Sequence, residues 1–121
     1  MKNWINWFEI PATDIERAKG FYGAIFGIDF QTMDMMGSQM ALFPAEGGSS
    51  GAIVQGPDYV PSSDGPVLYL NGGNDLTAAL SKVENAGGNV IVPKTHIGDE
   101  MGYFAMLIDT EGNKIALHSM N

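Results

Sequence analysis

Few side chains in this sequence can do acid–base or nucleophilic chemistry. The 121 residues include two histidines, His96 and His118, and no cysteine. Without cysteine, a disulfide scaffold, cysteine-bound zinc, an iron–sulfur cluster and a thiol nucleophile are all excluded. A carboxylate beside an imidazole can tune a general base toward neutral pH, and Glu9 with His118 is the pair that we consider for this catalytic role. The alternative is an internal pair that only stabilises the sheet.

A second group of candidate residues is the basic segment around His96. Lys94 and His96 lie two residues apart, between two predicted strands. They are interpreted either as exposed loop residues or as side chains that reach over the rim of a cavity and bind an anionic substrate. The chain has six Lys and Arg residues against fourteen Asp and Glu, a net charge of −8, so basic side chains are scarce in it.

This acidic charge limits the classes of partner. Nucleic-acid-binding proteins present a basic face, so we expect no nucleic-acid partner. No stretch approaches the ~18 apolar residues of a membrane-spanning helix, and the first residues lack the pattern of a signal peptide. We therefore expect no membrane partner and a cytoplasmic location. The length fits one domain with its own core.

Two similar halves of the chain are predicted to position the candidate residues. The first half begins with a strand over 3–10, followed by a capping box over Thr13–Glu16 in which Thr13 is the N-cap. Apolar residues at helical spacing then lead to Gly27, which suits the left-handed position after a helix. Three predicted strands complete this half, near 28–35, 38–44 and 51–56.

The second half repeats this order of elements. It is predicted to contain a strand over 67–71 and a helix over 76–86 that is capped by Asn74 or Asp75. Three further strands are predicted near 89–95, 102–108 and 114–119. Both halves also share an apolar strand that ends in a Glu-Gly turn, at Ala41–Gly47 and Met106–Gly112.

The sequence therefore predicts a single domain over 1–121. Module one covers about 1–56, a linker covers 57–66, and module two covers about 67–121. The linker is rich in Pro and Gly, which disfavours regular structure. We interpret it as a plain connection, with a flap over a cavity as the alternative.

Four segments carry a resemblance to a known family. They are Ile10–Tyr22, Ile25–Gly27, Leu80–Gly88, and Met101–Ala105 together with Asp109–Ile115. Together they resemble the vicinal oxygen chelate superfamily of glyoxalases, bleomycin-resistance proteins and ring-cleaving dioxygenases. The resemblance implies an α+β fold in which two βαβββ modules form a curled eight-stranded mixed sheet around a cavity, with the helices outside. It also implies a homodimer.

Enzymes of that family usually hold a divalent metal through His and Glu side chains of four strands, and the metal polarises the substrate. The corresponding positions in this chain are Trp7, Ala52, Val67 and Ala116. None of these side chains is a metal ligand, so the prediction is no metal and no other cofactor. A rearranged site that uses Glu9, His118 and a third group is the alternative.

Strand alternation extends these positions to their neighbours, because residues i and i+2 share a face. If the family positions face the cavity, Glu9, Tyr69, Asn71 and His118 face it too. The predicted substrate-binding residues are therefore Trp7, Val67, Tyr69, Asn71, Ala116, Lys94 and His96, and the predicted catalytic residues are Glu9 and His118. Few polar groups in an apolar, aromatic pocket are typical of a site for a small organic molecule.

The methionines of one predicted hairpin leave a further choice open. Met33 and Met35 share one face of a strand, and Met40 follows in the next strand. They are interpreted as adaptable packing, with a soft wall for apolar ligands or a dimer seam as the alternatives.

The predicted function is binding of a small organic molecule by a glyoxalase-like protein of unassigned substrate that lacks the usual metal site. One alternative is a metal-dependent lyase or isomerase resembling lactoylglutathione lyase. The other is a protein that sequesters a drug or metabolite, resembling bleomycin-resistance protein. Whether the protein is an enzyme is left open; if it is one, the resemblance implies a glyoxalase-like lyase or a related enzyme.

Overall fold

The computed structural model describes residues 3–121 of the chain. Its elements follow the order βαβββ twice. They are β1 (Phe8–Pro11), α1 (Ile15–Phe26), β2 (Gln31–Met35), β3 (Ser38–Ala45), β4 (Gly48–Gln55), β5 (Leu68–Asn71), α2 (Thr77–Leu80), β6 (Asn89–Gly98), β7 (Gly102–Ile108) and β8 (Lys114–Ser119). The predicted α+β fold of two βαβββ repeats is confirmed.

The eight strands are divided between two mixed sheets, each formed by one repeat. The first sheet has the order β1-β4-β3-β2 and the second has the order β5-β8-β7-β6. In each sheet the first strand of the repeat pairs in parallel with the last, and the remaining pairs are antiparallel. The curled sheet expected from the sequence is thus built as two hydrogen-bonded sheets of four strands.

The first helix begins one residue later than the sequence predicted. Asp14, not Thr13, is the N-cap: its backbone is extended and its carboxylate accepts a hydrogen bond from the Arg17 amide at 3.1 Å. Glu16 does not reach back to Thr13 but forms an ion pair with Lys19. The predicted end of the helix is confirmed, since the residue after Phe26 is a glycine with φ of 66° in the left-handed region.

The second helix is much shorter than predicted. Only Thr77–Leu80 are α-helical, and the chain continues as hydrogen-bonded turns as far as Gly87. Ser81 and Asn85 are weaker helix formers than Ala or Leu, which fits this early end. Asp75 lies just before the helix, and its carboxylate accepts a hydrogen bond from the Thr77 amide at 2.9 Å.

One hydrophobic core joins the two repeats. It combines the inner side chains of both helices with those of both sheets. The largest fully buried members are Tyr22, Phe21, Ile10, Ile25, Ile53, Leu76, Leu107, Leu117 and Val83. Because neither repeat encloses this core alone, the repeats hold each other in place. Within residues 3–121, no helix has the length and apolar character needed to cross a bilayer.

Each helix start is also tied to the last strand of its own repeat. The amide of Ile15, at the start of α1, donates a hydrogen bond to the Gln55 side chain at 2.8 Å. The amide of Leu76, just before α2, donates one to the Ser119 hydroxyl at 2.9 Å. Gln55 and Ser119 end β4 and β8, so the two repeats use the same device to satisfy a free helix amide.

Alternation along the strands sends the remaining side chains to the opposite face of each sheet, which we call the far face. In the first sheet the far face carries a small buried cluster of Met40, Ala52 and Val54. In the second sheet it carries Ala116 and His118, which alternate with the core residues Ile115 and Leu117. Most of the candidate site residues therefore lie on faces that the core does not use, whereas Lys94 and His96 lie on the helix side of the second sheet.

Candidate small-molecule site

On the far face of the first sheet, the candidate residue Glu9 accepts two side-chain hydrogen bonds. Its carboxylate accepts a hydrogen bond from the Tyr59 hydroxyl at 2.7 Å and one from the Trp7 indole nitrogen at 3.3 Å. The hydrogen bond to Glu9, together with burial and the charge of Glu9, raises the pKa of Tyr59 above its ordinary value. We call Trp7, Glu9 and Tyr59 the Glu9 cluster.

The Glu9 cluster lies over a buried apolar patch of the first sheet, which we call its apolar floor. Tyr59 packs against the buried cluster on the far face, formed by Met40, Ala52 and Val54. The carboxylate itself is exposed, so it can exchange its present partners for a ligand. A charged acceptor beside two aromatic rings and a hydrophobic floor is a combination suited to a small organic molecule.

Tyr59 belongs to the linker, and the sequence did not predict its role. The linker is more than a plain connection, because Tyr59 crosses the first sheet and the Ser62 amide donates a hydrogen bond to the Asn113 side chain at 3.1 Å. The available signal was an aromatic residue in a stretch of Gly, Pro, Ser and Asp. That signal cannot say which surface the ring covers.

A cavity of about 330 Å³ lies beside the Glu9 cluster. Trp7 and Glu9 line one wall, the linker around Val60 lines another, and Lys114 at the start of β8 also takes part. The volume falls at the lower end of the range for ligand pockets in proteins. The structure thus brings Trp7, just before β1, and Glu9, in β1, together with the linker.

His118 lies in different surroundings. Its Nε2 atom is 2.6 Å from the carbonyl oxygen of Met101, and because a carbonyl only accepts, this nitrogen is the protonated one. Tyr69, Asn71 and His118 line a separate cavity of about 380 Å³ on the second sheet. Within residues 3–121, no hydrogen bond or ion pair joins Glu9 to His118.

The two remaining pocket candidates are alkyl side chains. Val67 is half-buried and directly precedes β5. Ala116 is fully buried and pairs with Tyr69 in the register of β5 and β8, as Asn71 pairs with His118. The structure therefore divides the candidate residues into one group around Glu9 and another around His118.

The donor set at the family's metal positions does not fit a metal ion. Trp7, Ala52, Val67 and Ala116 offer an indole ring and alkyl groups, which do not ligate divalent cations. In the described part of the chain, no three His, Asp or Glu side chains are grouped closely enough to hold a metal. We therefore derive no reaction step through a metal.

Lys94 and His96 lie on the helix side of the second sheet. Lys94 Nζ is 2.9 Å from Asp75, 3.3 Å from the Thr77 hydroxyl and 4.6 Å above the ring of Tyr103. His96 pairs with Tyr103 in the sheet and packs against its ring. These contacts connect β6 to the start of α2, on the face opposite to Ala116 and His118.

The ion pair of Lys94 affects its acidic partner. Hydrogen bonds from Lys94 and from Thr77 hold the pKa of Asp75 well below its ordinary value. His96 Nε2 also lies 3.5 Å from the carboxylate of Asp99 in the adjoining turn. The basic segment is thus matched by acidic neighbours rather than left free for an anion.

The model of the Glyoxalase/Bleomycin resistance protein/Dioxygenase superfamily matches residues 4–117. The chain belongs to this superfamily. The prediction of family made from the sequence is confirmed, and the glyoxalase superfamily accounts for the paired βαβββ repeats.

Two relatives of this chain are described as a glyoxylase-like protein and a putative glyoxylase. A glyoxylase-like domain-containing protein of Didymella fabae is 35% identical over 118 residues, which cover 93% of this chain and 91% of that protein. A putative glyoxylase of Mycobacterium tuberculosis is 29% identical over 96% of this chain. This chain spans 45% of the mycobacterial protein, about half its length.

Solved structures show the same fold at low sequence identity. A glyoxalase/bleomycin resistance protein from Albidiferax ferrireducens has a TM-score of 0.69 at 18% identity, covering 98% of this chain and all (100%) of that one. An antibiotic-binding protein, TnmS3, from a Streptomyces species has a TM-score of 0.64 at 22% identity, covering 100% and 99% of the two chains. These likenesses establish the fold of this glyoxalase-superfamily chain.

Proposed function

We propose that this glyoxalase-superfamily protein binds a small organic molecule at the Glu9 cluster without the usual metal of the family. The observation that carries the proposal is the arrangement of Trp7, Glu9 and Tyr59 above an apolar floor, beside a cavity of about 330 Å³. Glu9 accepts a hydrogen bond from the ligand, and Trp7 stacks on a planar part of it.

Methionines extend the apolar surface of this site. Met33 pairs with Met40 in the register of β2 and β3, so both lie on the far face, and Met35 follows two residues later. The exposed fractions of Met33 and Met35 are 39% and 47%. Flexible thioether side chains adapt to different apolar shapes, which supports a soft wall for the ligand.

Native mass spectrometry of the purified protein tests the proposal. We expect a bound small molecule that is retained by the wild type and lost from Trp7→Ala. Trp4→Ala is the matched control, because Trp4 is 89% exposed and Trp7 is 40% exposed. Equal retention by both variants, in samples with the same urea midpoint, contradicts a role for Trp7.

The residues around His118 form the second part of the proposed site. Tyr69, Asn71 and His118 offer a phenol, an amide and an imidazole around one cavity, and the buried Ala116 pairs with Tyr69 in the adjoining strand. In this proposal the two cavities hold parts of one ligand or two ligands. His118→Ala and Glu9→Gln separate these cases, because one shared ligand is weakened by both changes.

A metal-dependent lyase resembling glyoxalase is the second candidate function, supported by the names of the relatives. Metal analysis of the purified protein decides between it and the first candidate. One divalent ion per chain, lost together from Glu9→Gln and His118→Ala, favours the lyase. No bound ion after dialysis against zinc, nickel or manganese favours binding without metal.

Sequestration of a drug or metabolite is supported by the likeness to an antibiotic-binding protein. In that case the ligand recovered from the protein is chemically unchanged after prolonged incubation. An enzyme converts it, and Glu9→Gln or His118→Ala then slows the conversion. Identical turnover in the wild type and both variants shows that these two residues are not catalytic.

We also propose that two copies associate through their far faces. Met33, Met35 and Tyr69 are exposed apolar or aromatic side chains on these faces. Light scattering after gel filtration is expected to give the mass of two chains, and Met35→Lys is expected to shift it toward one. A single-chain mass at all concentrations contradicts the homodimer.

A further inference from the structure

A groove of about 480 Å³ opens on the helix side of the molecule. It lies where α2 meets the hairpin of β3 and β4, so both repeats line it. Its walls are mainly apolar and include Phe8, Phe26, Ile28, Phe43 and Leu70. The volume is that of an ordinary ligand pocket, and most of the lining is aromatic or aliphatic.

Beside the groove, the two helices differ at one pair of positions that are equivalent by spacing. Phe21 and Tyr22 follow the acidic residue before α1, Asp14, by seven and eight residues, and both are fully buried. Lys82 and Val83 follow Asp75 by the same intervals. The second repeat thus has a basic and a small side chain where the first has two rings, and the space is left open.

Three polar side chains stand at the edge of this apolar groove. Lys82, Asn71 and Ser50 all line it. The side-chain oxygen Oδ1 of Asn71 accepts a hydrogen bond from the Gly73 amide at 2.9 Å, which leaves the side-chain NH₂ group to donate. Within residues 3–121, no ion pair involves Lys82. The groove therefore combines hydrogen-bond donors and a positive charge with aromatic walls.

We propose that this groove is a second ligand site, which takes an aromatic monocarboxylate. The ring system lies against Phe8, Phe43 and Leu70, and the carboxylate lies between Lys82 and Asn71. In a chain with a net charge of −8, a carboxylate needs a local cation, and Lys82 supplies one. The site shares Asn71 with the His118 cavity but no member with the Glu9 cluster, and it does not require the proposed function to hold.

Binding of 2-naphthoate to the full chain tests the proposal, with 2-naphthalenemethanol as the uncharged probe. Calorimetry and amide chemical shifts are followed in parallel. We expect saturable shifts at Phe43, Ala79 and Lys82 with 2-naphthoate, because these residues line the groove and neither of the other two cavities. Lys82→Gln is expected to raise the Kd of 2-naphthoate about tenfold, because the contact between Lys82 and the carboxylate is lost. It is expected to leave the Kd of 2-naphthalenemethanol unchanged, because the alcohol carries no charge.

Two controls locate the site. Lys19→Gln removes a lysine of α1 that is paired with Glu16, and we expect it to leave 2-naphthoate binding unchanged. Lys82→Phe fills the groove and is expected to abolish binding of both probes while the protein remains folded.

Three results overturn the proposal. The first is a Kd for 2-naphthoate that is the same in Lys82→Gln and in the wild type. The second is a set of shifts confined to Trp7, Tyr69 and His118, which places the probe on the far faces. The third is the absence of saturable shifts at millimolar 2-naphthoate in a wild-type sample with a native spectrum.

Discussion

Each helix of this protein meets a hairpin of the other repeat, and the two junctions differ sharply. At the first junction, a hydrogen bond joins α1 to the turn between β7 and β8: the Tyr22 hydroxyl donates it to the Asp109 carboxylate at 2.6 Å. Arg17 adds an ion pair with Glu111 at 2.7 Å. At the second junction, α2 faces the turn between β3 and β4 across the open groove.

One residue explains much of this difference. The carboxylate of Asp109 is buried and accepts four hydrogen bonds, from Tyr22, from the Glu111 amide and from the backbone and side-chain nitrogens of Asn113. In the similar turn of the first repeat, Pro44 takes the equivalent place and has no side-chain acceptor. A duplicated scaffold can therefore make one junction rigid and leave the other free for a ligand.

The buried contact between Tyr22 and Asp109 also keeps the Tyr22 hydroxyl protonated. Burial, then the charge of Asp109 and the hydrogen bond to it, raise the pKa of Tyr22 well above its ordinary value. The pKa of Tyr22 is higher in the folded than in the unfolded chain. The stabilisation that the Tyr22 hydroxyl gives to the fold is therefore complete below pH 10 and is lost as the pH rises through the pKa of the folded state. The first junction is thus stable at neutral pH.

The largest expected effect comes from breaking the first junction at its centre. Asp109→Ala should lower the free energy of unfolding by about 3 kcal/mol or more, since the Tyr22 hydroxyl and the Asn113 nitrogens lose their acceptor in a buried place. Urea unfolding measures the change. Pro44→Ala, at the other junction, is the control and should change it far less; equal losses contradict the comparison.

Glu111 should make the first junction sensitive to acid. Burial opposes its charge, but hydrogen bonds from Arg17, Asp14 and Thr13 prevail and lower its pKa from 4.5 to about 2. The stabilisation of the fold by the Glu111 carboxylate is therefore complete above pH 4.5 and is lost as the pH falls toward 2. Glu111→Gln should cost about 1.5–3 kcal/mol at pH 7.

Urea unfolding at several pH values checks this dependence. The difference between the wild type and Glu111→Gln should shrink below pH 4.5. Glu46 stands in the matching turn of the first repeat and is exposed, so Glu46→Gln should show neither the loss nor the pH dependence. A constant difference down to pH 2 would show that the charge of Glu111 does not contribute.

Close packing at the first junction predicts a penalty for even one added methyl group. A Cβ at Gly88 would lie 2.6 Å from the Phe21 ring and 2.9 Å from the Ile108 carbonyl oxygen. Gly88→Ala should therefore lower the free energy of unfolding by about 1–3 kcal/mol. Gly20→Ala is the matched control, because nothing lies within 4 Å of its Cβ, and it should be neutral or stabilising.

The smallest effect is a gain, from filling the second junction. Lys82→Phe places a ring where Phe21 stands in the first repeat, against the apolar wall of the groove. We expect the free energy of unfolding to rise by about 1 kcal/mol, measured in urea. A loss would show that the groove does not accept a ring, which also bears on the proposed ligand site.

The elements were largely predictable because their signals are local. Alternation placed β3, β7 and β8 within a residue or two, and Gly27 marked the end of α1 correctly. The capping box at Thr13 was wrong, because the amides of Thr13 and Asp14 donate instead to Glu111, a residue from the other repeat. The length of α2 was wrong because periodic burial continues through turns beyond Leu80.

The candidate site was less predictable than the fold. The sequence indicated which residues share a face, and the register of β5 with β8 agrees with that for Tyr69, Ala116, Asn71 and His118. It did not indicate that Tyr59 binds Glu9. Glu9 and His118 have different hydrogen-bond partners in the structure, and their catalytic role stays a prediction.

By itself, the sequence determined the α+β class, the two repeats and the face on which each strand residue lies, because periodicity and turn residues act over a few positions. Only the tertiary structure decided which side chains meet. Tyr22 and Asp109 are separated by 87 positions, and Glu9 and Tyr59 by 50. Such contacts depend on how the two sheets and helices pack around one shared core, which no local pattern encodes.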